Sequence, residues 1–158
     1  MPDIELRDIH QADAGEVLTL QRAAFVQEAL IYRSVDMPPL TQTLEELEAE
    51  LHENLGVVAL DGPRMVGAVR ARLDRELLLI GRLVIAPDQQ GQGVGTRLLA
   101  AVERRGADAG ATAAELFTGS LSEANLRLYG REGYRESQRV QGDDGIEQVF
   151  LRKPLTAG

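Results

Sequence analysis

The segment from Leu77 to Ala109 constrains the fold of this chain more than any other stretch of the sequence. It opens with an apolar run, Leu77 to Ala86, that is rich in Leu, Ile and Val and stops at Pro87, which is typical of a buried strand. A glycine-rich turn follows, and beyond it apolar residues recur at helical spacing with arginines on the other side. The segment therefore predicts a strand, a glycine-rich loop and a helix in direct succession.

A junction of this kind forms a binding site for anions. The first turn of a helix has backbone N–H groups without an intrahelical partner, and the helix dipole adds partial positive charge there. Glycines remove the side chains that would keep a phosphate away from this backbone. The sequence thus predicts a ligand with phosphate groups on the turn, which consists of Gln90, Gly91, Gln92, Gly93, Val94, Gly95 and Thr96.

Two well-known glycine-rich loops do not fit this turn. A P-loop requires Lys directly after its last glycine, whereas Gly95 is followed by Thr96. The dinucleotide fingerprint requires Gly or Ala five residues after its first glycine. Counted from Gly91 that position is Thr96, and counted from Gly93 it is a leucine. A dinucleotide-binding module is therefore disfavoured.

A third pattern does fit, with Gln90 followed by Gly93 and Gly95 after a strand that ends at Pro87. It resembles the acyl-coenzyme A signature of the GNAT superfamily of N-acetyltransferases. A second motif of that superfamily occurs downstream, and its first two positions lie four residues apart on one helix face. The residues that match this second motif are Asn125, Tyr129, Gly133 and Tyr134.

The order of predicted elements also matches that superfamily. It is β-α-α-β-β-β-α-β-α-β-β over a single domain, residues 1–158, which predicts an α/β acyl-CoA N-acyltransferase fold. In that fold a mixed, mostly antiparallel central sheet carries helices on both faces. We expect a first helix from Asp13 to Glu28 and a loop from Tyr32 to Leu40. Thr43 and Glu46 form a capping box that opens a second helix.

The resemblance implies acetyl-CoA as co-substrate and no metal. It implies that the backbone N–H of Leu83 meets the acetyl carbonyl and that the backbone of Ile85 pairs with the pantetheine arm. The residues from Gln90 to Thr96 then hold the pyrophosphate. The complete set of implied cofactor contacts is Leu83, Val84, Ile85, Gln90, Gly91, Gln92, Gly93, Val94, Gly95, Thr96, Asn125 and Tyr129.

Transfer of an acetyl group to a primary amine needs an acid and a base besides the Leu83 N–H. The leaving thiolate needs a proton or a hydrogen bond, and the resemblance implies Tyr129 beside the sulfur as general acid. A phenol has a pKa of about 10 and a thiol about 8.5, so complete proton transfer is slightly uphill in water. Some family members carry a general-base Glu at the position of Leu79. Glu115 on the next strand is the candidate here, with a water relay as the alternative.

The acceptor is expected to bind near the first two helices, which shape the acceptor pocket in this superfamily. That resemblance implies four wall residues, Tyr32, Arg33, Asp36 and Met37. Residues 1–56 hold 3 Arg and 12 Asp or Glu, whereas the rest holds 14 Lys or Arg and 13 Asp or Glu. The acidic part would suit a cationic amine. An acidic chain is a poor candidate for nucleic-acid binding.

The composition narrows the class of protein further. The chain has no Cys, which excludes disulfides and transfer through a covalent thiol intermediate, so we expect direct attack by the amine. Two His residues, far apart, do not suggest a metal site. No apolar run is long enough to span a membrane, and we expect a cytoplasmic protein without a membrane partner. The family often forms homodimers, and the alternative to an enzyme is a non-catalytic acyl-CoA sensor of the same fold.

Overall fold

A computed structural model describes residues 3–156, which form a seven-stranded sheet with helices on both faces. The strands are β1 (Ile4–Asp8), β2 (Leu55–Asp61), β3 (Arg64–Asp74), β4 (Leu77–Ile85), β5 (Ala113–Gly119), β6 (Arg135–Gln141) and β7 (Glu147–Pro154). The helices are α1 (Ala14–Tyr32), α2 (Pro38–Thr41), α3 (Leu44–Glu53), α4 (Val94–Asp108) and α5 (Glu123–Arg131). The predicted fold class and element order are confirmed, apart from the additional short helix α2.

The strands lie in the order β1-β2-β3-β4-β5-β7-β6, and only β4 and β5 are parallel. That parallel pairing is short, because residues 77–79 of β4 meet residues 113–115 of β5 and nothing further pairs. Beyond this point β5 continues its hydrogen bonds with β7 alone. The edge of β4 over residues 80–85 that faces β5 therefore has no strand partner in the described part of the chain.

Helix α4 packs very closely against one face of the sheet. A Cβ on Gly106 would overlap the side chain of Leu78 on β4, and a Cβ on Gly67 of β3 would touch Leu98 of α4. Both leucines are fully buried. Glycine at these two positions is what lets the helix lie against the strands.

The opposite face is covered by α1 and α3, which meet the sheet through a buried charge. Arg70 of β3 is only 2% exposed, and it pairs with Glu50 of α3. Its guanidinium also donates a hydrogen bond of 3.0 Å to the side-chain oxygen of Gln21 on α1. Burial raises the pKa of Glu50, but the bond and charge of Arg70 outweigh this, so the pKa is lowered overall. The ion pair therefore persists at neutral pH.

The end of β4 carries a bulge that changes which face its side chains use. Arg70 lies opposite Gly81 and Ala68 opposite Val84, so β4 has one more residue here than β3. Arg82 occupies the bulge with a φ of 54°, which is uncommon for a residue other than glycine. As a result Leu83 approaches α4 at Gly95, although simple alternation from Leu78 would point it to the opposite face.

The chain before α3 differs in part from the sequence-based expectation. α1 runs on to Tyr32 instead of ending near Glu28, because no Gly or Pro interrupts it over these last residues. The expected loop also contains α2, which starts with two prolines at positions where a helix tolerates them. The capping box is confirmed, since Thr43 and Glu46 exchange bonds of 2.9 and 3.2 Å. None of the helices within residues 3–156 combines the length and apolar character needed to cross a membrane.

The close contact between α4 and β4 can be tested by comparing Gly→Ala substitutions at two helical glycines. Gly130→Ala on α5 meets no neighbouring atom and is expected to raise the free energy of unfolding by about 0.5 kcal/mol. Gly106→Ala has the same helical benefit but must displace the buried Leu78, so it is expected to lower that free energy by about 1 kcal/mol. Denaturant unfolding measures both. Equal effects at the two positions would contradict the close packing.

Candidate active site

A cleft of about 500 Å³ lies where β4 and β5 part. It is enclosed by the second half of α1, the end of β4, the glycine-rich loop and α5. Its volume is in the range of small-molecule sites. Two of the predicted cofactor contacts, Gln92 and Tyr129, are not in its lining. The ten that line it are Leu83, Val84, Ile85, Gln90, Gly91, Gly93, Val94, Gly95, Thr96 and Asn125.

The glycine-rich loop leaves the N-terminus of α4 open toward this cleft. Gly93 is the N-cap residue with a φ of 84°, and Gly91 has a φ of 79°. A Cβ on either residue would meet nothing within 4 Å, so the backbone conformation is what requires glycine here. No side chain caps α4, and its first turn holds no acidic residue. The free N–H groups of this turn can therefore donate hydrogen bonds to an anion.

The third glycine of the loop has a different role. A Cβ on Gly95 would lie 3.3 Å from the side chain of Leu128, so this glycine allows α4 and α5 to approach each other. Asn125, on the first turns of α5, donates a hydrogen bond of 3.2 Å to the hydroxyl of Thr118 on β5. This bond orients the Asn125 carboxamide at the wall of the cleft.

Tyr129 is buried next to the cleft. Its side chain is 6% exposed, and its ring packs edge-on against Tyr134 with 6.1 Å between the ring centroids. Burial raises the pKa of the Tyr129 hydroxyl, and the negative charge of Glu28 raises it further. The phenol is therefore protonated at neutral pH, and Glu28, which lines the cleft, lies within electrostatic reach of it.

A hydrogen-bonded cluster, which the sequence did not suggest, joins α1 to the start of α5. Ser122 donates a bond of 2.6 Å to the carboxylate of Glu28, and its oxygen lies 2.7 Å from the Tyr32 hydroxyl. Ser122 is the N-cap residue of α5, but its side chain caps no helix N–H group. The cluster instead ties α1 across the gap between β4 and β5. Tyr32 therefore acts in packing, and it does not line the cleft.

Glu115 lies on the other side of the sheet from the glycine-rich loop. It is in register with Leu79 of β4 and accepts a hydrogen bond of 2.7 Å from Arg152 of β7. Its side chain is 15% exposed and lines a second cavity, on the face covered by α1 and α3. Glu115 thus presents a carboxylate beside the position where some family members have a Glu on β4. None of Tyr32, Arg33, Asp36 and Met37 lines this cavity.

Comparison with known families shows to which family the chain belongs. The family of acetyltransferase (GNAT) domains matches residues 27–155. The chain belongs to this family. In Bacillus subtilis, a protein named as an uncharacterized N-acetyltransferase, YjcF, is 27% identical over 85% of the chain and 91% of its own length. UPF0157 protein YqkA from the same organism is 26% identical over 84% of the chain, which spans only 38% of YqkA.

Solved structures of low sequence identity share the GNAT fold. The PaiA N-acetyltransferase of Thermoplasma acidophilum, solved with coenzyme A, superposes with a TM-score of 0.81 at 15% identity, over 96% of this chain and 99% of that one. A GNAT acetyltransferase from Streptococcus pneumoniae gives a TM-score of 0.79 at 19% identity, over 98% of this chain and 100% of that one. These similarities support the fold and not a particular acceptor.

This GNAT chain has further groups in the cleft that could hold phosphate. Arg127 and Arg131, four residues apart on α5, both line the cleft and are exposed. Neither forms an ion pair among residues 3–156. Their spacing was visible in the sequence, but the direction in which α5 faces was not. In the same part of the chain, no group of three or more His, Cys, Asp or Glu residues could hold a metal ion.

The role of the loop is tested by adding a negative charge to it. Gly93→Asp is expected to weaken coenzyme A binding at least tenfold, about 1.4 kcal/mol, because a carboxylate would face the phosphates. Gly145→Asp is a matched control, since Gly145 has a similar φ of 81° in the β6–β7 turn and open space around it. Calorimetric titration with coenzyme A gives both dissociation constants. An unchanged constant for Gly93→Asp would show that the phosphates bind elsewhere.

Proposed function

We propose that this GNAT chain transfers the acetyl group of acetyl-CoA to a primary amine by direct attack. The observation that carries the proposal is the parting of β4 and β5, which joins two binding features in one cleft. One feature is the open N-terminus of α4, and the other is the unpaired edge of β4. The first suits phosphates and the second suits an extended chain that adds as a strand.

The chain's own residues would divide the binding of acetyl-CoA between them. Residues 90–96 offer backbone N–H groups to the pyrophosphate, and the arginines of α5 add positive charge nearby. Val84 and Ile85 supply the strand edge along which the pantetheine arm lies. Asn125, held by Thr118, contacts the cofactor near this arm. The thioester then lies close to Leu83.

The chemistry requires one bond to form and one to break. The amine nitrogen bonds to the thioester carbonyl carbon, and the bond between that carbon and sulfur breaks. The Leu83 N–H donates a hydrogen bond to the carbonyl oxygen as negative charge develops on it. One proton leaves the amine and one reaches the sulfur, so the products are an acetamide and a thiol.

Glu115 is the carboxylate proposed to remove the amine proton, directly or through a water. It faces the cavity on the α1 and α3 side and lies level with Leu79, which cannot accept a proton. The hydrogen bond from Arg152 fixes its orientation. A carboxylate on β5 would then replace the one that other family members carry on β4.

Tyr129 is proposed to act on the departing sulfur as general acid. Its raised pKa makes complete proton transfer to a thiolate more unfavourable than for an exposed phenol. Donation of a hydrogen bond as the carbon–sulfur bond breaks remains effective, because it requires only that the phenol stays protonated. Burial of Tyr129 secures that state across the physiological pH range.

The experiment for the function combines binding and turnover. Calorimetry with acetyl-CoA, coenzyme A and NAD should show binding of the first two alone. Release of thiol on addition of a panel of primary amines should then show acetyl transfer. Binding of NAD without coenzyme A would refute the proposal. Tight binding of acetyl-CoA with no turnover across the panel would favour a non-catalytic sensor.

Tyr129→Phe separates the catalytic role of this residue from its packing role. The ring and its contact with Tyr134 are kept and only the hydroxyl is removed, so the melting temperature should hardly change. We expect kcat to fall by roughly 10- to 1,000-fold, as is common on loss of one proton donor. Acetyl-CoA affinity should stay within a few-fold. Wild-type turnover in this variant would mean that another group donates the hydrogen bond or proton to the leaving sulfur.

Glu115→Gln tests the base through its pH dependence. We expect kcat/KM to fall by about 100-fold or more near neutral pH, with a smaller loss at high pH where the amine deprotonates unaided. Glu147→Gln is the matched control, because Glu147 is also a strand residue bonded to an arginine but lies outside both cavities. Equal pH profiles for the two variants would exclude Glu115 as the base.

A further inference from the structure

The second cavity reaches the same strand edge as the cofactor cleft, from the opposite face of the sheet. It has a volume of about 410 Å³ and is bounded by α3 and strands β3, β4, β5 and β7. Residues 79–81 of β4 form its floor, and from Leu83 onward β4 lines the cofactor cleft instead. At about 3.3 Å per residue, Gly81 and Leu83 are separated by roughly 7 Å along β4. Because β5 has parted from β4 here, a ligand in this cavity can reach the thioester.

The charged side chains in the wall of this cavity are two acids and two bases, and they do not all pair with one another. Glu50 pairs with Arg70, whereas Glu115 accepts a hydrogen bond through one oxygen from Arg152, which does not line the cavity. Arg72 of β3 also lines the cavity, but it is exposed and has no ion-pair partner among residues 3–156. Arg72 is therefore free to pair with an anionic ligand in the cavity.

A second arginine without a partner lies next to this wall. Arg82, in the bulge of β4, is partly buried, and its Nε forms no hydrogen bond within the described residues. Burial lowers the pKa of Arg82, and so does the positive charge of Arg70, while Glu50 raises it. Arg82 is thus within electrostatic reach of two residues of the cavity wall. The Nε of Arg82 is a buried donor that no described residue satisfies, and an anionic ligand close by would relieve this cost.

The opposite wall of the cavity is aromatic. Phe117 of β5 is 49% exposed, and its ring lies 5.2 Å from that of Phe150 on β7, centroid to centroid. A Cβ on Gly81 would meet nothing within 4 Å, so the floor between the arginines and the aromatic pair is open. An apolar group can therefore pack on one side while an anionic group meets the other.

From this arrangement we infer that the amine acceptor is a small zwitterion with an apolar side group, such as an aromatic amino acid. Arg72 binds its anionic group, Arg82 adds positive charge beside the wall, and the Phe117–Phe150 pair holds its apolar group. Its ammonium group, the cationic part of the acceptor, points toward Glu115. This inference rests on the proposed function, and it adds the class of acceptor to it.

The test compares acceptors that differ only in the anionic group. Phenylalanine, its amide and its phosphonate analogue are assayed by thiol release with saturating acetyl-CoA. Charged hydrogen bonds are worth about 1.5–3 kcal/mol, so we expect kcat/KM for phenylalanine to exceed that for the amide by roughly 10- to 100-fold. The phosphonate shows whether the site takes a carboxylate or a phosphate-type group, and either one in excess of the amide supports the inference.

Phenylalanine and its amide differ in amine basicity, which also affects the ratio of their kcat/KM values. Comparing this acid-to-amide ratio between the wild type and arginine variants removes that effect, because the basicity of each substrate is the same for every protein. Arg72→Met is expected to reduce that ratio at least fivefold and Arg82→Met to reduce it less, in both cases without changing acetyl-CoA affinity. Arg75→Met is the matched control, since Arg75 lies in the β3–β4 turn with a φ of 59° and lines neither cavity. Its ratio should equal that of the wild type.

The outcomes separate this inference from the proposed function. An amide that is acetylated as well as the acid, with no effect of either arginine variant, overturns the acceptor class and leaves the acetyltransferase standing. Turnover of other amines, without turnover of any zwitterion, would likewise overturn the acceptor class and leave the acetyltransferase standing. Failure to bind acetyl-CoA overturns the proposed function itself.

Discussion

The parting of β4 and β5 is the feature on which the rest of this structure depends. Three residues of each strand pair, and beyond them the sheet is open. Two strand edges left without partners would normally invite association with another strand. In this GNAT chain the gap is lined on one side by the glycine-rich loop and on the other by a charged and aromatic cavity. An opening that weakens the sheet is thereby the place where the proposed function would bring two substrates together.

The sheet tolerates the opening because both of its faces are braced near it. On one face α4 lies close against β3 and β4 through Gly67 and Gly106. On the other face Arg70 links β3 to α3 and α1 through its buried ion pair and amide contacts. The Ser122 cluster then fastens α1 to the far side of the gap. Removal of one partner of a buried charge costs about 3–5 kcal/mol because the other charge is left uncompensated, so loss of either Arg70 or Glu50 would destabilise this face.

The sequence predicted the strand, glycine-rich loop and helix of this site well, because local rules determine them. Glycines at positive φ, a helix start without a cap and a strand that ends in proline are all readable in residues 77–109. The lining of the second cavity was not predictable in this way. It depends on how far β5 follows β4 and on which faces of β3 and β7 turn toward the gap, and these are tertiary properties. The expected acceptor wall near Met37 stays a prediction, since Tyr32 at the end of α1 is hydrogen-bonded to Ser122 and none of the four expected wall residues lines either cavity.

The bulge at Arg82 lets a single strand line both cavities. Without it, strict alternation would send Leu79, Gly81 and Leu83 to the same face. The one extra residue moves Leu83 and Ile85 to the α4 side while Leu79 and Gly81 stay on the side of the second cavity. The residue that absorbs this change is itself an arginine in a left-handed conformation, next to the backbone N–H proposed to meet the carbonyl. Strain of this kind persists where the surroundings over-determine the backbone, and here it separates the two binding faces at the reacting position.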